Sequence, residues 1–268
     1  MRPANPFSTL YRHRDLVVQF TRRELEMRHK GSRLGHLWAL LSPMMMLGLY
    51  LFVFGLIFGG KFGVLPTENF FDFALALFLG LSLFNFIAEA IAVGPTLIVN
   101  QPNFVKKVVF PLEIIPLSSV ASSLYYSLLS VLLLLVLAPF SHGGLSWECL
   151  ALPALIAPLA MMALGIAWAL AAVGVFVRDI NHVTAFISTA IMYGSAIVYA
   201  PSRVPAVVWS VLRFNPLLIL IDQARRVVLW HAPIDLGQLT YAYLCSGTVL
   251  ALGYLVFSLL RPYFAEVI

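Results

Sequence analysis

Two groups of residues in this chain have types and spacings that could do chemistry. The first runs from Gly55 to Lys61 and has the G-x-x-x-x-G-K spacing of a phosphate-binding loop. Phe62 stands where such a loop needs a magnesium-binding Ser or Thr, and the segment ends an apolar helix instead of following a buried strand. We interpret the match as a coincidence, because Gly55 and Gly59 also form a G-x-x-x-G step that favours close helix packing.

The second group is a carboxylate inside an apolar run. Glu89 has Asn85 one helical turn before it, so the two side chains share a face of one helix. An ionised side chain at the centre of a bilayer costs about 2.5–3.5 kcal/mol, so we expect Glu89 to face a partner helix or a wet cavity. Its role stays open between a place on a substrate pathway and a neutral, hydrogen-bonded structural position.

Other catalytic and metal-binding patterns are missing from the sequence. The six His residues are scattered without an H-E-x-x-H motif, and the serines that crowd the third apolar run do not occupy a G-x-S-x-G turn. Cys149 and Cys245 fit no metal or disulfide spacing, so we expect them only to pack. The sequence therefore predicts a protein that is not an enzyme and holds no cofactor or metal. It also lacks the run of intramembrane carboxylates that a proton-coupled transporter would need, so we expect any energy for transport to come from another source.

The elements that carry these residues must lie in a membrane. The chain is 61% hydrophobic and 11% charged, with a mean hydropathy of +0.92, which a water-facing surface of 268 residues cannot cover. We therefore predict an all-α polytopic membrane protein with a cytoplasmic segment over residues 1–35 and a single transmembrane domain over 36–268. A span needs about 20 apolar residues, and six stretches qualify: about 36–59, 70–98, 110–138, 149–177, 180–200 and 238–260.

The basic residues predict the orientation of the spans. With the N-terminus inside, twelve of the 17 Lys and Arg fall on the cytoplasmic side, so the positive-inside rule places both termini in the cytoplasm. The connection between spans five and six conflicts with this rule, because four arginines then lie outside. They are Arg203, Arg213, Arg225 and Arg226.

Residues 201–235 offer a structural answer to this conflict. Two apolar stretches, each too short to cross, are separated by Asn215 and Pro216, a pair that is typical of a helix start. Asp222 gives the second helix a charged side together with the two arginines that follow it. We predict a re-entrant hairpin of two helices that dips into the outer leaflet and returns. The alternative is one kinked span, which would put the C-terminus outside.

The N-terminal segment over about 8–33 predicts an amphipathic helix on the inner membrane surface. Five of its apolar residues fall within one arc of a helical wheel, although Glu24 and Arg28 intrude into that arc. An ordinary solvated basic leader is the alternative. The apolar members of the arc are Leu10, Leu16, Val17, Phe20 and Met27.

Several segments in a fixed order carry a family resemblance that covers nearly the whole chain. They are YRHRDL from Tyr11, TRRELEMRHKGSRLGHLWALLSP from Thr21, NQPNFVKK from Asn100 ahead of Pro111, FVRDI from Phe176, and then Tyr199, Pro205, Asn215-Pro216 and the stretch from Asp222 to Arg226. Each is weak alone, but together they resemble the permease subunit of type-2 ABC transporters that export lipid-linked polysaccharides such as O-antigens, capsules and teichoic acids.

The resemblance implies that residues 100–108 form a coupling helix that docks on a separate nucleotide-binding subunit, present in two copies. ATP and magnesium would be bound by that partner. A loop of polar and basic residues around Phe104 suits such a contact, although a plain cytoplasmic loop would have the same composition. The expected coupling residues are Asn100, Gln101, Asn103, Phe104, Lys106, Lys107, Arg178 and Asp179.

The resemblance also implies a homodimer whose conduit is lined by spans one and five. Aromatic rings suit sugars, because CH groups pack on the π-system, although rings at these positions also suit an interfacial belt. The expected channel residues are Tyr50, Phe52, Phe54, Phe58, Glu89, Tyr193 and Tyr199. The expected residues of a periplasmic gate in the hairpin are Arg203, Arg213, Asn215, Asp222, Arg225 and Arg226.

The expected function is that of the permease subunit of an ATP-driven exporter of a lipid-linked glycan, in a bacterial cytoplasmic membrane and without a nucleic-acid partner. Three alternatives remain open: an ABC exporter of a small lipid or drug, a membrane-embedded enzyme, and a stand-alone channel. The enzyme would need a nucleophile–base or metal constellation near one membrane face.

Overall fold

The computed structural model describes residues 12–28, 30–57, 62–63, 68–106, 110–141, 144, 147–200 and 204–268. The regular elements of these ranges are all helices, which confirms the predicted all-α class. The α-helices are α1 (Arg14–Arg28), α2 (Trp38–Tyr50), α3 (Phe70–Val93), α4 (Pro102–Lys106), α5 (Ile114–Leu137), α6 (Leu152–Phe176), α7 (Ile180–Gly194), α8 (Ala206–Leu212), α9 (Pro216–Val228), α10 (Leu236–Leu260) and α11 (Phe264–Val267). A π-helical segment, Leu51–Ile57, continues α2.

Four helices, α3, α5, α6 and α10, are long and apolar enough to cross a membrane. The pair α8 and α9 would add a fifth span if counted together, but the two helices meet at a bend of 95°. The apolar helix Trp38–Phe54 falls short of the span length. The described chain is therefore a multi-pass membrane protein with four or five such spans by length and composition.

The helix in the predicted fifth span is shorter than expected. Residues 180–200 were expected to be helical throughout, but α7 ends at Gly194 after 15 residues, a length of about 22 Å against about 30 Å for a bilayer core. Beyond it, Ala196 takes a left-handed conformation with φ of 48°. The chain turns here because its carbonyl groups are bound by side chains of the following hairpin, as described below.

Polar side chains fix where three of the helices begin. Asn69 and Asp72 form a reciprocal capping box at the start of α3, with N···O distances of 2.9 and 3.0 Å. Asn215 caps α9 and is followed by Pro216 in its first turn, as the sequence predicts. Asp235 caps α10 by accepting from two backbone N–H groups.

Helices α6 and α10 form the most extensive helix pair of the bundle. Their backbones meet at Gly165 and Gly253, where a Cβ atom on Gly165 would lie 2.5 Å from the carbonyl oxygen of Val249 and one on Gly253 would overlap the Gly165 carbonyl. Glycine is needed at both positions because any side chain would hold the backbones apart. Helix α3 lies at the centre of the bundle, whereas on α7 only Thr184 is buried.

The two ends of the bundle differ in the short helices that they carry. The α4 end carries α4, α11 and the start of α7, and its apolar core includes Trp168, Phe257 and Phe264. There the buried Glu113 forms an ion pair with Arg261. The hairpin end carries α8, α9 and the start of α3.

Candidate functional site

Three aromatic rings join α4 to the N-terminal helix. The Phe104 ring lies 5.4 Å from that of Phe20 and 4.9 Å from that of Phe110, and Phe20 and Phe110 are also 4.9 Å apart. Phe104 is therefore half-buried against its own chain, where the sequence suggested an apolar anchor for a partner. Helix α1 and helix α4 form one continuous surface through this cluster.

The polar residues expected to couple to an ATPase lie at this same end. Asn100, Asn103 and Lys106 are exposed on and beside α4, and so are Arg178 and Asp179 in the turn before α7. Within the described residues, Arg178 and Asp179 form no ion pair with each other. Gln101 is half-buried, and its Oε1 has no hydrogen-bond partner there either. Lys107 lies outside the described residues.

Helix α1 packs along α5, and its last residue reaches the carboxylate of α3. Arg28 forms an ion pair with Glu89, and its guanidinium carbon lies 4.4 Å from the centre of the Tyr126 ring. The two residues that broke the sequence patterns are thus partners: Arg28 in the apolar arc and Glu89 in the apolar run. Burial lowers the pKa of the Arg28 guanidinium, while Tyr126 and Glu24 act in the opposite direction.

The same face of α1 differs in part from the predicted arc. Leu16, Val17 and Phe20 are half-buried, but Met27 is 52% exposed. Leu10 lies outside the described residues. The helix turns toward α5 the side that holds Phe20 and Arg28, and Met27 falls beside that face.

A polar cavity of about 200 Å³ lies between α2, α3 and α5. Glu89 and Tyr126, which both contact Arg28, form part of its wall. Its other polar residues are Ser42, Tyr50, Ser82, Asn85, Ser123, Ser127 and Ser130, and its apolar residues are Pro43, Met46, Phe78, Leu81 and Phe86. Asn85 and Glu89 therefore share a face, as their spacing predicts, and that face lines a cavity.

A buried arginine holds the hairpin in place. Arg225 is 1% exposed and donates hydrogen bonds to the carbonyl oxygens of Ala76 (2.9 Å), Ala196 (3.2 Å) and Ile197 (2.7 Å). Its guanidinium therefore joins α9 to α3 and to the turn after α7. A Cβ atom on Gly80 would lie 2.5 Å from its Nη2, so the absence of a side chain at Gly80 makes room for the group. Arg225 is therefore enclosed by the protein.

The loop before α3 covers this arginine. The Arg225 guanidinium carbon lies 4.5 Å from the centre of the Phe62 ring. The buried Glu68 carboxylate accepts from the backbone N–H groups of Phe62 (2.8 Å) and Gly63 (2.6 Å) and so fixes the loop. Sequence reasoning missed Phe62, Glu68 and Gly80, although Gly80 is the only glycine within α3 and lies one turn after Ala76.

Asn215 makes a second connection between the hairpin and α7. Its Nδ2 donates to the carbonyl oxygen of Gly194 (2.9 Å) and lies 3.1 Å from Ser195 Oγ, while its Oδ1 accepts from the N–H of Leu217. The buried Gln223, also missed from the sequence, donates to Gln238 at the start of α10. Polar side chains therefore bind α9 to α7 at its start and to α10 from its second half.

The remaining expected gate residues are more open. Arg213 is exposed, with its guanidinium carbon 4.7 Å from the centre of the Phe214 ring, and Asp222 and Arg226 are half-buried. Arg203 lies outside the described residues.

The expected channel aromatics divide into two groups. Phe52 and Tyr193 are exposed, at 57% and 55%. Tyr50, Phe54 and Tyr199 are half-buried, and the Tyr199 hydroxyl donates to the carbonyl oxygen of Tyr193. Phe58 lies outside the described residues. Of the expected channel rings that the structure describes, only Phe52 and Tyr193 are more than half exposed.

These features define a helical, multi-pass membrane protein in which the helices α1 and α4 pack together at one end. Residues 15–229 match the family described as ABC-2 type transporter, and the chain belongs to that family.

Named relatives match along most of the chain. It is 26% identical over 259 residues to the O-antigen export system permease protein RfbA of Myxococcus xanthus, covering 96% of both chains. It is 28% identical over 274 residues to the protein of the same name from Klebsiella pneumoniae, covering 95% of both. The polysialic acid transport protein KpsM of Escherichia coli is 26% identical over 216 residues, which are 77% of this chain and 78% of KpsM.

Proposed function

We propose that this chain is the permease subunit of an ATP-driven exporter that moves a lipid-linked polysaccharide across a bacterial cytoplasmic membrane. The observation that carries the proposal is the likeness to O-antigen export permeases, which extends over 96% and 95% of this chain. The chain serves as the membrane passage, and a separate nucleotide-binding subunit binds and hydrolyses ATP.

The transmembrane arrangement that we propose has six spans. Helix α2 with its π-helical continuation and the short helix α7 supply the first and fifth, and α3, α5, α6 and α10 supply the others. Both termini and the α4 end then face the cytoplasm, in agreement with the distribution of basic residues. The α8–α9 pair is a re-entrant hairpin on the outer side, which the 95° bend and the burial of most of α9 support.

The coupling surface that we propose combines α1, α4 and the turn at Arg178–Asp179. The Phe20, Phe104 and Phe110 cluster supports it, because a force on α4 is transmitted directly to α1. Helix α7 then connects the two membrane faces. It begins at Ile180, beside the coupling surface, and the carbonyl groups after its end are bound by Asn215 and Arg225 of the hairpin.

The functional unit that we propose is a homodimer of this chain with two ATPase subunits. Helices α2 and α7 expose most of their surface in the single chain, since only Ala39, Leu47 and Thr184 are buried on them. The faces that carry Phe52 and Tyr193 would meet across the dimer and line the conduit. Phe52, Phe186 and Tyr193 are exposed rings available to pack against sugars there.

The test combines co-purification with glycan export. We expect the affinity-tagged chain to recover a stoichiometric nucleotide-binding subunit from its native membrane. Replacing both Lys106 and Lys107 by Glu should release that subunit and abolish surface display of the glycan, because it reverses the charge of the docking surface. Arg213→Glu is the matched control for co-purification, since Arg213 is also exposed but lies at the hairpin end, away from the proposed docking surface. Recovery of a lone homo-oligomer, or normal surface glycan in a strain that lacks this chain, would overturn the proposal.

A further inference from the structure

We propose that the cavity between α2, α3 and α5 binds a single sugar residue carried on a lipid. The inference rests on the proposed function in one respect: a lipid-linked glycan would supply the natural ligand. The site lies within one chain and is separate from the conduit proposed between two chains.

Several hydroxyl groups in the cavity wall lack the hydrogen bond that they would normally make within their own helix. Hydroxyl groups in apolar helices commonly bond back to a carbonyl of the preceding turn, as Ser118 does to Ile115 (2.9 Å) and Ser130 to Tyr126 (3.2 Å). In the part of the chain that the structure describes, Ser82, Ser123 and Ser127 make no hydrogen bond of this kind.

Asn85, which also lines the cavity, has no hydrogen-bond partner in those ranges either. A polar group without a partner inside a membrane costs several kcal/mol. Three hydroxyls and one amide that converge on a single cavity therefore call for water or a ligand with several hydrogen-bonding groups.

The charges in the cavity wall balance each other, and this favours a neutral ligand. Glu89 is paired with Arg28, so the wall carries one negative and one positive group in contact. A phosphate would meet the carboxylate, and a metal ion would meet the guanidinium. A neutral polyol accepts from hydroxyl and amide donors and can donate to the Glu89 oxygen that is not held by Arg28.

The size and composition of the cavity also fit a single sugar ring. Its volume of about 200 Å³ equals the liquid volume of roughly seven water molecules, and lies below the range of about 300–1,000 Å³ for drug-sized ligands. This suits one sugar ring and leaves the rest of a glycan chain outside the cavity. Tyr50, Phe78 and Phe86 add aromatic surface, on which the CH groups of a sugar pack.

The cavity also opens where a lipid can reach it. Ser42, Met46 and Asn85 at its margin are exposed, and they lie within the apolar helices α2 and α3 rather than beyond their ends. A ligand that enters from this side keeps its alkyl chain in the bilayer while its head occupies the cavity. The opening thus favours a sugar that is attached to a lipid over a free sugar from solution.

The experiment uses a thiol reporter in the cavity of the full chain in lipid nanodiscs. Ser130→Cys is the reporter, since its hydroxyl is already bonded internally, and Cys149→Ala and Cys245→Ala remove the native thiols. The reaction rate with a small water-soluble methanethiosulfonate is measured against increasing octyl β-glucoside. Octyl tetraethylene glycol ether and octyl phosphocholine carry the same alkyl chain and serve as probes without a sugar.

We expect the reporter to react, because the cavity is hydrated, and to be protected by the glucoside alone. Asn85→Leu and, separately, Ser127→Ala should weaken this protection about tenfold, which corresponds to about 1.4 kcal/mol for one lost hydrogen bond. Ser118→Ala should leave it unchanged, since that hydroxyl bonds to its own helix. Using two different cavity variants keeps the test decisive if one of them fails to fold.

Three results would overturn the inference. An unreactive reporter would mean a dry cavity, equal protection by all three probes would mean that only the alkyl chain binds, and protection by octyl phosphocholine alone would identify a phospholipid site. The assay contains neither ATPase nor polysaccharide, so each of these results leaves the export function intact. The export function is tested separately, by the amount of glycan on the cell surface. A failure of that test would not change the result of the protection assay.

Discussion

Replacing Arg225 by methionine should destabilise the protein more than any other single arginine substitution in the hairpin. The guanidinium supplies the one described partner of the Ala196 and Ile197 carbonyl groups, whereas Ala76 also lies within the regular hydrogen bonding of α3. Two buried carbonyls left unpaired cost about 1–3 kcal/mol each. Removing a buried charge returns part of its desolvation cost, so we expect a net loss of about 2–4 kcal/mol.

A second substitution at Gly80 tests the geometry directly. Gly80→Ala places a Cβ atom 2.5 Å from Nη2 of Arg225 and 3.3 Å from a methyl group of Ile197. In the native background it should therefore displace the guanidinium and cost about as much as losing one of its bonds. In the Arg225→Met background most of that cost should vanish. The two changes should thus show a coupling free energy of about 1–2 kcal/mol.

The assay is unfolding of the purified chain in mixed detergent micelles with increasing SDS fraction, followed by circular dichroism. Arg226→Met is the matched control, because Arg226 lies next on the same helix, is half-buried and makes no side-chain hydrogen bond within the described ranges. It should change stability by less than about 0.5 kcal/mol. Equal losses for the two arginines, or a Gly80→Ala cost that is the same in both backgrounds, would refute the reasoning.

Two further substitutions probe the bundle and the N-terminal helix. Gly253→Ala should lower the free energy of unfolding by about 3 kcal/mol or more in the same assay, because its Cβ overlaps the carbonyl of Gly165. Gly247→Ala should be nearly neutral, since the nearest neighbour of its Cβ is 3.7 Å away. Similar values for the two would contradict the close helix contact. Arg28→Glu should lower export and ATP-coupled turnover, because it places two carboxylates together. Adding Glu89→Arg should restore both activities by re-forming the ion pair in the reverse order. A double variant as inactive as Arg28→Glu alone would show that the ion pair does not act as a unit.

The apolar pattern was sufficient to predict the long helices. The helices α3, α5, α6 and α10 each overlap a predicted span, because a run of more than 20 apolar residues has few other stable solutions in a membrane. The early end of α7 could not be predicted in this way. Residues 195–200 are apolar enough to continue the helix. The carbonyl groups at its end and in the turn are bound by Asn215 and Arg225, which lie 21 to 29 positions later in the chain.

The sequence identified the charged residues of the site but not their partners. Glu89 and Arg28 each stood out as an exception to a local pattern, and only the packing of α1 on α5 brings them together. Arg225 was predicted to lie in the hairpin, yet its burial depends on Gly80, 145 positions earlier. Helical periodicity reports which face of one helix is polar, and it carries no information about which other helix meets that face.

The position of Arg225 also constrains how the protein is made. Its guanidinium binds carbonyl groups of α3 and of the turn after α7, and the ribosome completes both before α9. An arginine at the centre of a helix that enters lipid costs about 2.5–3.5 kcal/mol, so α9 has no favourable place in the bilayer by itself. The order of synthesis provides a finished cleft in which the arginine is solvated by protein. In the proposed transmembrane arrangement, insertion of the hairpin is therefore a folding step onto helices that are already in place.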